Sequence, residues 1–281
     1  MLRFCVLILL VCGLVRAESP RLLVMGDGRE PAFSGDGRFV VCRTDGDNGE
    51  PELYRIEVKG GAIKRLGFAG TSPIGLPGES DMLFLGTGIF PELYRLDTRT
   101  WEAVSLPVPA PPSGAPFPAG KRLIAYPAGY EEPAPLVFFD LASSKQVSAV
   151  PELPAGTVKL SADGRYAAIQ TRIQGVCNLE VRDLKNGKSV FKTDARAGSM
   201  QINGCHSPDF SPDGRFLVYV SGDIQPLADL MLLELESGKI EKLTTDGADN
   251  QSPRFSPDGR SLVFASCRDG RYRICLMPFP K

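Results

Sequence analysis

The stretch FSPDGRFLV at residues 210–218 decides the fold of this chain, because variants of it recur at nearly even spacing. Its clearest copies are FSGDGRFVV at 33–41 and FSPDGRSLV at 255–263. Weaker copies extend the series to six, with large apolar anchor residues at Phe33, Leu76, Phe117, Leu160, Phe210 and Phe255. The steps between anchors are 43, 41, 43, 50 and 45 residues. A period of about 40–45 residues in strand-rich sequence is typical of propeller blades, so we predict an all-β, six-bladed β-propeller.

The residues that follow each anchor predict a tight turn. Proline presets φ at the first central position of a turn, aspartate bonds nearby backbone, and glycine accepts positive φ. The acidic series at these turns is therefore predicted to be structural: Asp36, Asp163, Asp213 and Asp258. In the fifth unit, further strands are predicted at 216–220, 229–235 and 240–243, which gives four strands, A to D, in each blade.

The two ends of the chain predict how the ring closes. The last unit supplies strands A, B and C, and the sequence then ends. RLLVM at 21–25 precedes the first copy of the turn as strand D precedes each later copy. We therefore predict that an N-terminal strand containing Leu22, Leu23 and Val24 completes the last blade and removes its exposed edge.

Residues 1–17 have the pattern of a signal peptide. Arg3 is followed by an apolar stretch from Phe4 to Val15, with cleavage predicted after Ala17. The apolar stretch is shorter than the roughly 18 residues that a spanning helix needs. We expect residues 18–281 to form a single propeller domain without a membrane span, in the periplasm or secreted. Lipidation at Cys12 is not expected, because Val11 stands where a small residue is needed.

Composition and motifs argue against several classes of function. The chain has 32 basic and 33 acidic residues without a clustered basic stretch, so a nucleic-acid partner is not expected. A single histidine argues against a multi-histidine metal centre. The sequence contains no G-x-S-x-G elbow, P-loop or G-x-G-x-x-G. We predict no cofactor, no metal and no catalytic residue, and we expect a monomer.

The F-S-P-D-G-R turn followed by an apolar strand, in six units behind a signal peptide, resembles the propeller of TolB, a periplasmic component of the Tol-Pal envelope system. The resemblance covers residues 21–281 and is weakest in units two (76–81) and three (117–122), which have lost the Pro-Asp-Gly spelling. It implies the fold and an exported location. TolB carries an α/β domain ahead of its propeller, for which this sequence leaves no room, so the partner of TolB is not implied. Oligogalacturonate lyases use a similar propeller but bind their metal through several histidines.

The alternating strand directions place two kinds of connection on each face of the disc. The D-to-A and B-to-C connections share one face, here named the D-to-A face, and the short A-to-B and C-to-D turns share the other, the A-to-B face. Binding residues favour long loops on a rigid scaffold, and the D-to-A face has the longer loops. The candidate binding residues are those that ring the channel mouth there in the six-unit alignment: Arg29, Glu30, His206, Asp249 and Gln251. A purely local hydrogen-bonding role for His206 remains open.

Five cysteines remain after the predicted cleavage, so at least one thiol has no intramolecular partner. Cys177 and Cys205 precede strands on the D-to-A face of adjacent units, and an oxidising compartment permits a disulfide between them. We predict that bond. Cys42 and Cys275 lie in apolar strands and are predicted to be core thiols, with Cys267 more exposed.

The favoured hypothesis is a non-catalytic interaction module that binds an envelope or extracellular protein, a peptide or a glycan at the channel mouth. The alternative is an enzyme, a lyase or hydrolase, that degrades an extracellular polysaccharide on the same face. Many carboxylates are able to meet across a propeller mouth, but the sequence singles out no pair.

Overall fold

A computed structural model of the protein describes residues 21–23, 27–46, 48–120, 122–128, 135–147, 157–173, 175–194, 204–222 and 227–279. These residues form 23 β-strands. Within the described ranges, no helix is long and apolar enough to cross a membrane. The predicted signal peptide and its cleavage site lie outside the described residues.

The strands follow one another in the order that the repeat predicts. Units one and two contain β2 (Gly28–Phe33), β3 (Phe39–Asp45), β4 (Pro51–Glu57), β5 (Ile63–Gly75), β6 (Met82–Gly86), β7 (Leu93–Asp97) and β8 (Glu102–Ser105). Units three and four contain β9 (Phe117–Pro118), β10 (Leu123–Pro127), β11 (Leu136–Asp140), β12 (Lys145–Val147), β13 (Thr157–Leu160), β14 (Tyr166–Ile173), β15 (Val176–Asp183) and β16 (Ser189–Lys192). Units five and six contain β17 (Cys205–Phe210), β18 (Phe216–Ser221), β19 (Asp229–Glu234), β20 (Ile240–Lys242), β21 (Asp249–Phe255), β22 (Ser261–Cys267) and β23 (Tyr272–Pro278).

Pairing divides these strands into six antiparallel blades. Units three, four and five are separate four-stranded sheets, and β21, β22 and β23 form a fourth such sheet with β1 (Arg21–Leu22). Units one and two share a seven-stranded sheet, because the long strand β5 is strand D of unit one and continues as strand A of unit two. The prediction of an all-β, six-bladed propeller is confirmed.

Among the described residues, the hydrophobic core consists of six clusters, each of which lies between two neighbouring blades. Strand B contributes core side chains on both faces of its blade, as expected for a strand with a continuous apolar sequence. In unit five, Leu217 packs towards unit four, and the next residue, Val218, packs towards unit six. The cluster that contains Phe33 and Val40 of unit one also contains Val263 and Ile274 of unit six. The last blade therefore packs directly against the first.

The N-terminal strand pairs with the last blade at the predicted place. Arg21 is paired with Leu276 and Leu22 with Cys275, and the Leu23 N–H donates to the carbonyl of Ile274 at 2.8 Å. Leu23 is buried, whereas Leu22 is 44% exposed. Val24 lies outside the described residues. That this strand is required for a stable ring stays a prediction.

The repeated turn depends on its serine as much as on its aspartate. In unit six, the Ser256 hydroxyl donates to Asp258 at 2.6 Å and accepts the backbone N–H of Ser261 at 2.9 Å. The same carboxylate accepts the N–H of Arg260 at 3.0 Å. The Ser256 hydroxyl and then this N–H lower the pKa of Asp258, against the effect of burial.

The serine–aspartate contact recurs in three more units, through Ser34 and Asp36, Ser161 and Asp163, and Ser211 and Asp213. All four aspartates bond within their own turns, so the prediction that they are structural is confirmed.

Two of the six predicted anchors are wrong by one residue, in the two units that lack the Pro-Asp-Gly spelling. Leu76 donates its N–H across the turn at 3.1 Å, as Ser34 does in unit one at 2.9 Å. Leu76 therefore takes the serine position, and Gly75 takes the anchor position of Phe33. Glycine is needed there because a Cβ on Gly75 would lie 2.3 Å from the carbonyl oxygen of Phe33.

In unit three the predicted anchor lies one residue before the structural anchor, whereas in unit two it lies one residue after. Ala119 donates its N–H to the carbonyl of Leu123 at 2.8 Å and takes the serine position. Pro118, paired with Ile124, is then the anchor, and Phe117 precedes it.

Candidate functional site

The innermost strands of four blades share a bulge at the D-to-A face. In each, the pairing between strands A and B shifts register near the start of strand A. The residue at the shift has positive φ, between 50° and 53°, and these residues are Glu30, Ser72, Ser207 and Ser252. Bulges of this kind re-aim side chains and are frequent beside functional sites. Four of the five candidate residues, Arg29, Glu30, His206 and Gln251, lie at or next to these bulges, and Asp249 lies two residues before Gln251 on β21.

Three of the predicted site residues are joined through a fourth side chain, Tyr272. The guanidinium carbon of Arg29 lies 4.8 Å from the centre of the Tyr272 ring. The Tyr272 hydroxyl donates to Asp249, whose other oxygen accepts the side-chain amide of Gln251 at 2.7 Å. We name Arg29, Asp249, Gln251 and Tyr272 the mouth cluster. It joins the innermost strands of units six and one.

The electrostatics of the mouth cluster keep Tyr272 protonated. Burial and then the hydrogen bond to Asp249 raise the pKa of Tyr272, while Arg29 opposes the rise. Arg29 also forms an ion pair with Asp27, at 3.3 Å. Tyr272 was missed by the sequence analysis, although it begins strand C of unit six and follows a B-to-C connection, which belongs to the same face.

Glu30 is held by the contact between units one and two. One carboxylate oxygen accepts from the Arg43 guanidinium at 3.1 Å, and the other accepts the backbone N–H of Ser72 at 2.7 Å. Arg43 also pairs with Asp45 at 2.9 Å. One oxygen of Glu30 therefore joins its own bulge to the bulge of unit two, and the other is held by Arg43 within unit one. The side chain lies beside the mouth cluster rather than in it.

His206 lies on β17, the strand next to the one that carries Gln251. Its Nδ1 is 3.0 Å from the Ser207 hydroxyl. The backbone N–H of Ser207 donates to the side-chain oxygen of Gln170 in unit four, also at 3.0 Å. The loop that precedes β17 lies partly outside the described residues. The position of His206 on the D-to-A face agrees with the predicted binding role. Its hydrogen bond to Ser207 agrees with the alternative of a purely local role.

No group of three or more histidine, cysteine, aspartate or glutamate side chains is arranged to hold a metal ion within the described ranges.

The other end of the channel holds a cavity that the sequence analysis missed. Its volume is about 360 Å³, and all six innermost strands and their A-to-B turns line it. The walls are mainly apolar, with Phe33, Ile74, Phe117, Phe210 and Phe255 among them. The A-to-B turns, which the sequence predicts to be short, therefore surround a cavity at the centre of their face.

Three charged residues from consecutive blades line this cavity, and we name them the channel triad: Lys159, Asp209 and Arg254. Each directly precedes the anchor residue of its unit, where units one and two have Ala32 and Ile74. The position before each anchor was the sequence signal that indicates these residues, because residues at the same position of the innermost strands face the same channel.

Solved structures share this fold, although their sequences are distant from that of the chain. Neither a protein-family model nor a curated protein sequence matches the chain. A putative TolB from Agrobacterium tumefaciens is 16% identical, with a TM-score of 0.61, and the match covers 93% of this chain and 94% of that one. The fold is that of a TolB-like propeller.

The chain is also similar to two further solved structures. An oligogalacturonate lyase in complex with manganese is 15% identical, with a TM-score of 0.56 and coverage of 92% of this chain and 93% of the lyase. TolB from Acinetobacter baumannii is 18% identical with a TM-score of 0.41, and the match covers 94% of this chain. This TolB-like chain spans 58% of the length of the Acinetobacter protein.

The disulfide between Cys177 and Cys205 stays a prediction with a clear test. Both side chains are buried, and their strands, β15 and β17, contact each other. Cys177 Sγ lies 3.2 Å from a guanidinium nitrogen of Arg172. We expect peptide mapping of the non-reduced protein, prepared under oxidising conditions, to recover Cys177 and Cys205 in one linked pair. Recovery of alkylated Cys205 without prior reduction would contradict it, and Cys42, which is fully buried, is the control that should become alkylated only after denaturation.

Proposed function

We propose that this chain is an exported, non-catalytic propeller that binds a protein, peptide or glycan at its D-to-A channel mouth. The observation that carries the proposal is the mouth cluster, in which Arg29, Tyr272, Asp249 and Gln251 are linked at the ends of rigid strands. Tyrosine and arginine are enriched where proteins bind partners, because they combine large contact area with directional polar groups.

The hydrogen-bond partners at this mouth favour binding over acid–base catalysis. A general acid or base must reach the proton that it transfers. Asp249 is engaged by Tyr272 and Gln251, and Glu30 is engaged by Arg43 and the Ser72 backbone. Both carboxylates therefore stabilise the mouth itself rather than serve as an acid or a base.

Export is proposed from the pattern of residues 1–17, with the periplasm or the extracellular space as the destination. The expected partner is therefore an envelope or extracellular molecule. The likeness to an oligogalacturonate lyase supports the alternative of a polysaccharide-degrading enzyme only at the level of fold.

The test begins with ligands selected on defined panels, an array of bacterial and plant-wall oligosaccharides and a displayed peptide library. The best ligand is then titrated against the purified protein and against a His206→Ala, Gln251→Ala double variant. We expect its Kd to rise about tenfold or more, because polar contacts that order a ligand are lost. The melting temperature should change little, since surface substitutions away from the core have small effects.

The matched control is Arg215→Ala, an exposed residue of the A-to-B turn in unit five. It should leave the Kd unchanged. Equal affinity of the double variant, with loss in the control, would show that the binding face is wrong. Release of unsaturated products from oligogalacturonate, abolished by Asp249→Asn, would replace the binding function with the enzymatic alternative.

A further inference from the structure

The cavity at the A-to-B end of the channel has an uneven charge. Lys159 Nζ lies 3.3 Å from Asp209 Oδ1, and the other oxygen of Asp209 accepts the backbone N–H of Phe255 at 2.9 Å. The side chains of Lys159 and Asp209 are 14% and 18% exposed. Asp209 therefore ties the innermost strands of units four, five and six together, and it neutralises one cation.

Arg254 is the second cation of the channel triad. It donates to the carbonyl of Pro253 at 2.9 Å, and no carboxylate of the described residues forms an ion pair with it. Its positive charge acts on Lys159: burial and then Arg254 lower the pKa of Lys159 to about 8, against the opposing effect of Asp209. The three charged groups of the described lining leave one net positive charge in a mainly apolar cavity. Arg254 is half-buried, and even partial burial of a charge without a counter-charge is costly.

We propose that this cavity is a binding site for a small amphipathic carboxylic acid, whose carboxylate is held by Arg254 and Lys159 and whose apolar chain or ring packs against the channel phenylalanines. A single carboxylate neutralises the net charge, and guanidinium groups match carboxylates in geometry. The volume of about 360 Å³ lies in the range typical of small-molecule sites. The site is separate from the mouth cluster, so it does not depend on the proposed function.

The test uses a matched ligand series: 4-phenylbutyrate, the neutral 4-phenylbutanol and the cationic 4-phenylbutylamine. Binding to the purified protein is measured by saturation-transfer NMR and calorimetry. We expect the carboxylate to bind at least about tenfold more tightly than the alcohol, and the amine to bind least, because charge-assisted hydrogen bonds are stronger than neutral ones. Equal binding of alcohol and carboxylate, or no binding of the carboxylate at millimolar concentration, would overturn the proposal.

Variants locate the site. Arg254→Gln should weaken carboxylate binding about tenfold. Arg254→Lys keeps the positive charge and should retain part of the binding. Binding by Arg254→Lys would show that the loss in Arg254→Gln comes from the missing charge and not from an altered fold. Arg215→Gln removes an exposed cation from the same face outside the cavity, and Gln251→Ala alters the opposite mouth, so both should bind as the parent protein does. Full binding by Arg254→Gln in a folded variant contradicts the site.

The pH dependence of binding provides a second test, because a change in packing alone would not produce it. Lys159, Asp209 and Arg254 are the titratable groups that line the described cavity. As the pH rises past about 8, Lys159 loses its proton and the positive charge that attracts the ligand. Affinity should therefore fall between pH 7 and pH 10, and this fall should be absent in Lys159→Met. A flat profile in the parent protein would exclude Lys159 from the site.

The same series distinguishes a small acid from a peptide end. A short peptide with a C-terminal phenylalanine presents the same carboxylate next to an apolar group. If this peptide binds more tightly than 4-phenylbutyrate, and its C-terminal amide does not bind, the occupant is a chain terminus and the small-molecule proposal is wrong.

Discussion

Replacing Gly35 with proline is expected to destabilise the propeller by about 3 kcal/mol or more. Units five and six carry proline at this turn position, as Pro212 and Pro257, so the repeat itself would suggest a stabilising change. The structure predicts the opposite effect on stability. A Cβ on Gly35 would lie 2.0 Å from the carbonyl oxygens of Leu76 and Glu79 in the turn of unit two. Those atoms belong to backbone, which cannot move aside without separating the two turns.

The matched control for Gly35 is Ala162, which occupies the same position in the turn of unit four and is exposed. Ala162→Pro should leave the free energy of unfolding unchanged or raise it by up to about 1 kcal/mol, because proline restricts the unfolded chain. Gly35→Ala should already show most of the loss. Denaturant unfolding of the three variants is the measurement. A Gly35→Pro protein as stable as Ala162→Pro would show that the turns of units one and two do not approach so closely.

Removal of the N-terminal strand is expected to have the second large effect. A protein that begins at residue 29 loses the pairing of β1 with β23 and the burial of Leu23. The burial of one leucine contributes about 2–3 kcal/mol, and the freed edge of β23 becomes open to pairing with other chains. We expect a melting temperature several degrees below that of the 18–281 protein, together with a tendency to aggregate. Equal melting of the two proteins would refute the need for this strand.

Two point variants separate packing from pairing in this strand. Leu23→Ala should cost about 2–4 kcal/mol, because Leu23 is buried between the last blade and the first. Leu22→Ala, in the neighbouring and 44% exposed position, should cost little. Thermal unfolding of both variants measures the difference. If the two lose equal stability, the strand contributes through its backbone hydrogen bonds alone.

The sequence by itself determined the features that repeat. Six units, four strands in each and the turn at each aspartate follow from a local pattern that spans about ten residues. In that range, side chains and backbone of the same turn satisfy one another, as Ser256 and Asp258 do. The pairing of the N-terminal strand with the last blade also followed, because a missing strand at one end matched a surplus strand at the other.

In units two and three, which lack the Pro-Asp-Gly sequence, the spacing of the repeat placed the anchors one residue away from their structural positions. Leu76 and Phe117 are large and apolar, but backbone hydrogen bonds assign the anchor positions to Gly75 and Pro118. The close approach of the turns of units one and two excludes a side chain at Gly75. That contact joins two blades and is not visible in either copy of the repeat alone.

The candidate residues at the mouth were selected by alignment, but only the tertiary structure decided how they are connected. Tyr272 links Arg29 to Asp249, and Glu30 fastens unit one to unit two. Likewise, steps of 50 and 45 residues separate Lys159, Asp209 and Arg254 in the sequence, and the ring brings them to one cavity. The position before each anchor was visible in the sequence, but the repeat encodes only the contacts within a blade. The packing of neighbouring blades around one channel therefore decided that these three charges meet in one cavity.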